Sequence, residues 1–397
     1  MTMQFTNDAP IATESDDYLE RAKALGPLIE AEAVVTEGGG RLSPKVVDAL
    51  RESNLFFQLL PRELGGGEVG IVKAMEVQEE IARADGAAGW CFMVHAVGPT
   101  IAMVNLEASA ITEMYTPEFR QVTAGFGGPN GTARRVEGGW MIESKRMSFG
   151  SGTLEADRVI CGLKVVDDEG NVIPTSDGGP DIRFAYVPRE KIIWHGNWDV
   201  SGLKGSGSED YELPPTFLEE RFVTTRDKTK KRADPLVAFG EYGITFFGHT
   251  GVALGIIKRG LEELSRIVDG KKRGLIALDT YPVFLYEYAR NEAVYQAVRA
   301  YAYQLFAEAE KTAKKEGAIS ALELARAQQI AVWSHEVAGD ILDFCYSWAG
   351  TEPIRNNSAL GRAFRDLRVA RNHFVVDSTG YPAVAAPILK DWQSHSA

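Results

Sequence analysis

Two histidines stand out among the residues that could take part in acid–base chemistry. His373 ends the run that contains Arg365-Asp366, and His95 follows Trp90 in an otherwise apolar stretch. An imidazole with its ordinary pKa of about 6.5 can accept or donate a proton near neutral pH. Residue type alone makes His373 and His95 possible acid–base groups. The alternative for His95 is a hydrogen-bonded core residue, the commoner role of a lone histidine on an apolar face.

A glycine- and serine-rich stretch is the second chemical signal. It runs from Trp198 to Ser208 and ends Gly-Leu-Lys-Gly-Ser-Gly-Ser. Small residues allow a backbone to approach a planar ring closely, and hydroxyls can bond the edge of such a ring. A plain turn between strands is the alternative. Neither this stretch nor Gly150-Ser-Gly152 has the third glycine of a dinucleotide-binding fingerprint, so no nicotinamide site is predicted.

Composition excludes several classes of protein. A net charge of −12 offers no extended basic surface, which argues against a nucleic-acid partner. Cys91, Cys161 and Cys345 lie far apart, so we expect neither disulfides nor a metal site. The first 17 residues lack the layout of a signal peptide, and we expect no apolar run to be long enough to span a bilayer. We expect a cytoplasmic protein without a membrane partner.

Hydrophobic periodicity divides the chain into a helical, a β and a second helical part. Ser43-Pro44 is typical of a helix start, and a hairpin is expected around the Gly138-Gly139 turn. Strands are expected at 159–166 and 182–187. The fold class is α+β, and we predict domains at residues 1–117, 118–228 and 229–397.

This layout and its motifs resemble the acyl-CoA dehydrogenase superfamily over nearly the whole chain. In the dehydrogenases a glutamate base follows an Arg-Asp pair by eight residues, but here that position is Phe374, next to His373. The replacement resembles the two-component flavin-dependent monooxygenases of this fold. The stretch that ends at Ser208 resembles their "G-L-R-G-T-G-S" segment, with Lys204 and Ser206 as the two differences.

The resemblance implies an N-terminal helical domain, a middle β-barrel-like domain and a C-terminal four-helix bundle. It implies a reduced flavin, FMNH2 or FADH2, with Ser151 near flavin N5, because 147–152 resembles a "W-x-F-x-S-G" motif with Met147 in place of tryptophan. The cofactor-binding residues expected on this basis are Trp90, Ser148, Ser151, Gly152, Ser208, Arg273, Gly350 and Thr351. The residues expected around the substrate are Phe246, Phe247, His249 and Phe374.

The same resemblance implies a reaction. Reduced flavin and O2 would form a C4a-hydroperoxide, which passes one oxygen atom to a phenol- or indole-like small molecule. Ser151 and His95 would hold the flavin adduct, and His373 would orient or deprotonate the substrate with a pKa near the working pH. A separate NAD(P)H:flavin reductase would supply the reduced flavin.

A homotetramer is also expected. Val294, Val298, Tyr301 and Leu305 recur on one face of a helix that needs a partner. The segment from Trp348 to Thr351 corresponds to one that meets a neighbour's flavin in the resembling family.

Three alternatives stay open. The chain could be an acyl-CoA dehydrogenase-like enzyme with its base on an earlier helix, where Thr245 aligns and Glu241 lies one turn away. It could be an N-oxygenase or a nitroalkane-oxidising relative. The third alternative is a non-catalytic flavin-binding or scaffold protein.

Overall fold

The computed structural model describes residues 17–125, 128–225 and 238–395, and helices form the first and the last parts of these residues. The N-terminal helices are α1 (Asp17–Gly39), α2 (Pro44–Glu52), α3 (Ile71–Ala84), α4 (Gly86–Asn105) and α5 (Ala108–Met114). The C-terminal helices are α6 (Gly240–Val268), α7 (Pro282–Glu316), α8 (Ala321–Ala349), α9 (Ala359–Ala370) and α10 (Tyr381–His395). Helix α6 packs between α3 and α8, so one core joins the two groups of helices.

Local side chains determine where several of these helices begin. Asp85 caps α4 by accepting the Ala88 N–H, and Ser358 caps α9 by accepting the Gly361 N–H. The expected start of α2 at Pro44 is confirmed. Ser43, however, does not cap α2 with its side chain, because its hydroxyl donates to Glu32 at 2.7 Å.

An open, mixed sheet separates the helical segments. Its strands are β1 (Thr123–Ala124), β2 (Pro129–Val136), β3 (Gly139–Met147), β4 (Arg158–Val166), β5 (Ile182–Pro188), β6 (Ile193–Trp194), β7 (Tyr211–Glu219) and β8 (Val223–Thr224). The order is β6-β7-β3-β2-β4-β5-β8, and β1 also pairs with β4. A separate hairpin joins β9 (Lys272–Arg273) and β10 (Ile276–Ala277).

The expected strands and hairpin are confirmed. Val136 pairs with Gly139 across a two-residue turn, and Gly138 adopts the positive φ of 78° that such a turn favours. The predicted domain boundary at 117/118 falls between α5 and β1, and the boundary at 228/229 lies outside the described residues.

Helix α4 corrects the expectation that no apolar run could span a bilayer. Its 20 residues are long and apolar enough by length and composition. However, 83% of its most apolar window is buried inside the fold, as in the core helix of a globular protein. The continuous apolar character of α4 follows from its position, since α3, α6, α9 and β1 surround it.

The apolar face of α7 finds its partners within the chain. Val298 and Leu305 are buried in the core, and the Tyr301 ring packs against Trp333 of α8 at 6.3 Å. Only Val294 of the predicted stripe is substantially exposed, at 37%. The argument that this stripe requires a second subunit is therefore wrong.

Asp366 joins three parts of the fold. Its Oδ1 accepts the Leu203 N–H at 2.6 Å, which ties α9 to the glycine- and serine-rich segment. Beside it, Arg362 donates to Asp85 at 3.0 Å, and Asp85 caps α4. Burial, together with the neighbouring Asp85 carboxylate, raises the pKa of Asp366 well above its usual range. We infer that Asp85 carries the charge opposite Arg362 and that Asp366 is protonated.

This junction also explains two glycines of the 198–208 segment. A Cβ at Gly202 would lie 2.0 Å from the Arg365 carbonyl oxygen, and one at Gly205 would lie 2.2 Å from a Thr36 methyl group. These two glycines are required for close packing against α9 and α1.

We expect Asp366→Ala to lower the free energy of unfolding by about 1–3 kcal/mol, because it leaves the buried Leu203 N–H without an acceptor. Asp366→Asn, which keeps an acceptor and mimics the protonated acid, should cost less than about 1 kcal/mol. Urea unfolding of both variants measures the difference. Equal destabilisation by the two variants would contradict a neutral Asp366.

Candidate active site

A cavity of about 700 Å³ lies between α4, α6, the turn after β3 and the segment after α9. Its walls are mostly apolar, with Val97, Ile101, Ile160 and Phe184 among them. Trp90, Ser151, His249, His373 and Phe374, all predicted site residues, line it together. A concave apolar site with a few converging polar groups is the usual form of a small-molecule site.

Ser151 lies in the cavity wall with its hydroxyl held from two sides. The Trp90 Nε1–H donates to Ser151 Oγ at 3.1 Å, and the Ser151 and Ser208 hydroxyls share a hydrogen bond with their oxygens 3.0 Å apart. Helix α4 supplies Trp90, and the segment anchored by Asp366 supplies Ser208. Ser208, expected to contact the cofactor, is not among the lining residues; its hydroxyl bonds Ser151 instead.

His95 lies behind this turn rather than in the cavity wall, which corrects its expected contact with a ligand. It is fully buried, and its Nε2–H donates to the Gly152 carbonyl oxygen at 2.8 Å. A Cβ at Gly152, whose φ is 70°, would lie 2.5 Å from His95 Nε2. Burial lowers the pKa of His95 to about 4, so the ring is neutral. His95 therefore holds the backbone that presents Ser151.

Two further histidines and Trp90 form an aromatic group at the cavity. The Trp90 ring makes edge contacts with His249 at 5.2 Å and with His373 at 5.3 Å, and the two imidazoles are 4.9 Å apart. His335, fully buried on α8, lies 6.1 Å from His249. No group of acidic, histidine or cysteine side chains among the described residues could hold a metal ion.

These imidazoles are neutral at physiological pH. Burial lowers the pKa of His373 to about 4, and burial also lowers the pKa of His249 well below its ordinary value, with the charges on His373 and His335 adding to the effect. The expectation that the pKa of His373 lies near the working pH is therefore wrong. The Val375 N–H is directed at His373 Nδ1 at 3.4 Å, so the ring proton belongs on Nε2.

Other predicted site residues lie away from the cavity. Phe246 and Phe247 are core residues, because successive helical positions turn by about 100° and only Thr245 and His249 of this part of α6 face the cavity. Ser148 is outside the lining and bonds Asp210 instead.

The predicted residues Arg273, Gly350 and Thr351 form a separate cluster at the ends of α6 and α8. The Arg273 guanidinium lies over the Trp348 ring at 5.5 Å, and Lys271 bonds the Ala349 carbonyl oxygen. None of these residues lines the cavity of their own chain.

Several lining residues were not predicted. Phe149 is 68% exposed at the cavity and has a positive φ of 63°, which is unusual for a bulky residue. Ile101 and Phe184 lie on α4 and β5, and Asp181 precedes β5. Their residue types are ordinary for a helix, a strand and a turn, so no sequence signal marked them. For Phe149, its position two residues before Ser151 was the available signal.

Known protein families match both helical segments. The acyl-CoA dehydrogenase N-terminal domain matches residues 27–109, and the acyl-CoA dehydrogenase C-terminal domain matches residues 247–378. Together they cover more than half of the chain, which belongs to the acyl-CoA dehydrogenase family.

Individual related proteins have names that indicate a narrower class of enzyme than the family does. The chain is 26% identical over 351 residues to the indole-3-acetate monooxygenase of Acinetobacter baumannii, covering 85% of each protein. It is 26% identical over 202 residues to the flavin-dependent monooxygenase oxygenase subunit HsaA of Rhodococcus jostii, covering 50% of each. XiaF from Streptomyces sp., solved with FADH2 and glycerol, has the same fold, with a TM-score of 0.84, 19% identity and coverage of 95% of this chain and 96% of that one.

Burial of a neutral histidine makes stability depend on pH. Burial lowers the pKa of His335 to about 4, whereas the unfolded chain has a histidine pKa of about 6.5. As the pH falls through this window, the unfolded chain gains a proton that the folded chain does not, so the free energy of unfolding falls. The free energy of unfolding of wild type should fall between about pH 7 and about pH 4.5. We expect this fall to be smaller by roughly 2–3 kcal/mol in His335→Leu.

Urea unfolding at the two pH values measures this change. His395→Leu, at a histidine whose side chain is 71% exposed, is the matched control and should leave the pH dependence as in wild type. An unchanged pH dependence in His335→Leu would show that His335 is not a source of it.

Proposed function

We propose that this chain is the oxygenase component of a two-component flavin-dependent monooxygenase that hydroxylates an aromatic small molecule. The observation that carries the proposal is the cavity that Ser151, His373 and Phe374 line together, with Phe374 at the position where the resembling dehydrogenases carry a carboxylate base. The relatives named as flavin-dependent monooxygenases support the same reaction class.

The residues of the cavity fit a flavin. Apolar walls suit a planar ring, and the volume of about 700 Å³ lies within the usual range for small-molecule sites. His249 Nδ1 is buried and has no partner among the described residues, and Ser151 keeps hydrogen-bonding capacity beyond its two protein contacts. Reduced flavin, when bound, would be the group that reacts with O2. Ser151 would hold its ring edge, with Trp90, Ser208 and His95 fixing Ser151.

The other residues act on water and on the substrate. The apolar walls exclude water, which protects reactive species from unproductive breakdown. Because its pKa is lowered, neutral His373 orients the substrate by donating from Nε2 rather than by removing a proton. Among the described residues that line the cavity, Asp181 is the one carboxylate, and it pairs with Arg183 at 2.8 Å. The side chain of Glu241, the alternative base, lies outside the described residues.

We also propose the finer points that the sequence suggested. A separate NAD(P)H:flavin reductase supplies reduced flavin, and the three buried free thiols suit a reducing cytoplasm. In a homotetramer, Arg273, Gly350 and Thr351 of a second copy would approach the flavin. Their distance from the cavity of their own chain and the 97% exposed Leu275 beside Arg273 support this arrangement.

Photoreduced FMN or FAD, O2 and a panel of phenols and indoles test the proposed reaction. We expect one atom from isotopically labelled O2 in the product of the preferred substrate, and no steady NADH oxidation without an added reductase. Mass spectrometry and oxygen consumption measure both outcomes. Steady NADH turnover by the chain alone, or oxidation of an acyl-CoA without oxygen transfer, would contradict the proposal.

The role of His373 is tested by two substitutions. Removing a positioned hydrogen-bond donor typically costs about 10²–10³-fold, so His373→Ala should lower product formation by roughly 100-fold or more while hydrogen peroxide rises. His373→Gln keeps an N–H donor but cannot act as a base, and it should retain more product than the alanine variant. If glutamine is no better than alanine, His373 acts as a base instead.

A further inference from the structure

One face of α4 lines the cavity from end to end. The lining residues of this helix recur at the spacing of a single helical face, and they are Trp90, Met93, Val94, Val97, Gly98 and Ile101. At the rise of an α-helix, the distance from the first to the last of them corresponds to roughly 16 Å. The cavity is therefore elongated, and its two ends have different surroundings.

The Trp90 end holds the groups assigned above to the flavin and to the reaction. The Trp90 Nε1–H donates to Ser151, and the Trp90 ring contacts both His249 and His373. All four side chains line the cavity. Under the proposed function, the reacting atoms of flavin and substrate belong at this end.

The Ile101 end is closed by the β sheet. The Asn105 carbonyl oxygen, one turn after Ile101, accepts the Thr224 hydroxyl at 2.8 Å, and Thr224 pairs with Phe184 of β5. Asp181 comes directly before β5 and therefore lies close to Phe184 along the chain. Phe184 and Asp181 both line the cavity, so they belong to the end that lies away from Trp90.

Asp181 gives this far end its chemical character. Among the described residues that line the cavity, it is the one with a charged side chain at neutral pH. Its Oδ2 accepts from the Arg183 guanidinium at 2.8 Å, whereas its Oδ1 bonds no other described residue. Arg183 is outside the lining and lies over the Trp140 ring at 5.2 Å. The cavity therefore meets the carboxylate and not the guanidinium.

A carboxylate determines which ligand groups can occupy this end. It accepts hydrogen bonds and attracts positive charge, and it repels a second anion. The phosphate of FMN or FAD is an anion, so the tail of the flavin does not belong beside Asp181. The far end is therefore left to the part of the substrate that is remote from the reacting atoms.

We propose that Asp181 is a specificity-determining residue that binds a hydrogen-bond donor, an ammonium or a hydroxyl group, on a side chain of the aromatic substrate. The inference rests on the proposed function and adds a substrate class, namely aromatic amines or alcohols and not aromatic carboxylates. The preference is opposite to the one that the name of the indole-3-acetate monooxygenase indicates for that relative, because indole-3-acetate is a carboxylate.

Four indoles that differ at the end of one side chain test the inference. Tryptamine carries an ammonium, tryptophol a hydroxyl, 3-ethylindole a methyl group and indole-3-acetate a carboxylate. Wild type should bind tryptamine, tryptophol or both more tightly than 3-ethylindole by roughly 10-fold to 100-fold, the range for one hydrogen bond to a charged group. Indole-3-acetate should bind most weakly. Anaerobic calorimetric titrations with reduced FMN or FAD present measure the four Kd values without turnover.

Two substitutions of Asp181 separate charge from shape. Asp181→Asn keeps the size of the side chain and removes its charge, so the preference for tryptamine over 3-ethylindole should fall by about 10-fold or more. The Kd for 3-ethylindole should stay at the wild-type value. Asp181→Ala leaves Arg183 without its carboxylate, so indole-3-acetate should bind more tightly than it does to wild type. Unchanged Kd values in Asp181→Asn would overturn the inference, whether or not the alanine variant folds.

Asp168→Asn is the matched control. Asp168 lies in the same connection between β4 and β5 and pairs with Arg134 at 3.0 Å, but it does not line the cavity. The substitution changes the charge of the chain by the same amount, so all four Kd values should stay as in wild type. Equal shifts in Asp168→Asn and Asp181→Asn would mean that net charge decides, and they would overturn the role of Asp181.

Failure of the inference can be told apart from failure of the proposed function. A wild-type chain that oxygenates none of the phenols and indoles overturns the proposed function and this inference with it. A wild-type chain that oxygenates an aromatic compound but binds the four indoles equally, or not at all, overturns only the inference. Tighter binding of indole-3-acetate than of 3-ethylindole by wild type also overturns it, because a cation from outside the described residues would then have to reach this end.

Discussion

The hydrogen bond from the Leu203 N–H to Asp366 is the contact on which the site depends. Asp366 lies on α9, which leads to His373, and Leu203 lies in the glycine- and serine-rich stretch that ends at Ser208. Beside them the buried Arg362–Asp85 pair holds the start of α4, the helix that carries Trp90. One buried junction thus determines where α4, α9 and the Ser208 segment stand relative to one another, and the cavity forms between elements that it connects.

The site uses neutral hydrogen-bonding groups instead of charges. Burial lowers the pKa of His95 and of His373 to about 4, so both rings are uncharged at physiological pH. His95 then donates a hydrogen bond to the Gly152 carbonyl oxygen, and His373 can donate into the cavity from Nε2. Such groups suit a monooxygenase, which must hold polar atoms of reduced flavin and substrate while an apolar wall keeps water away.

Much of the fold could be predicted because its signals are local. The hairpin at Gly138, the strand at 159–166 and the helix start at Pro44 follow from turn chemistry, alternation and the fixed φ of proline. The spacing around His373 and Ser151 also identified two residues that share the cavity. The stripe on α7 was misinterpreted because periodicity shows that a helix face is buried but not which element buries it.

The sequence by itself determined the family, the order of helical and β segments, and the exchange of a carboxylate base for His373 beside Phe374. Only the tertiary structure decided which way each side chain points. It placed His95 behind Gly152 and Phe246 in the core, and it showed that Gly202 packs against Arg365. It also lowered the pKa of His373. Burial, helix rotation and close backbone contacts between distant segments cause these results, and none of them is a property of neighbouring residues in the chain.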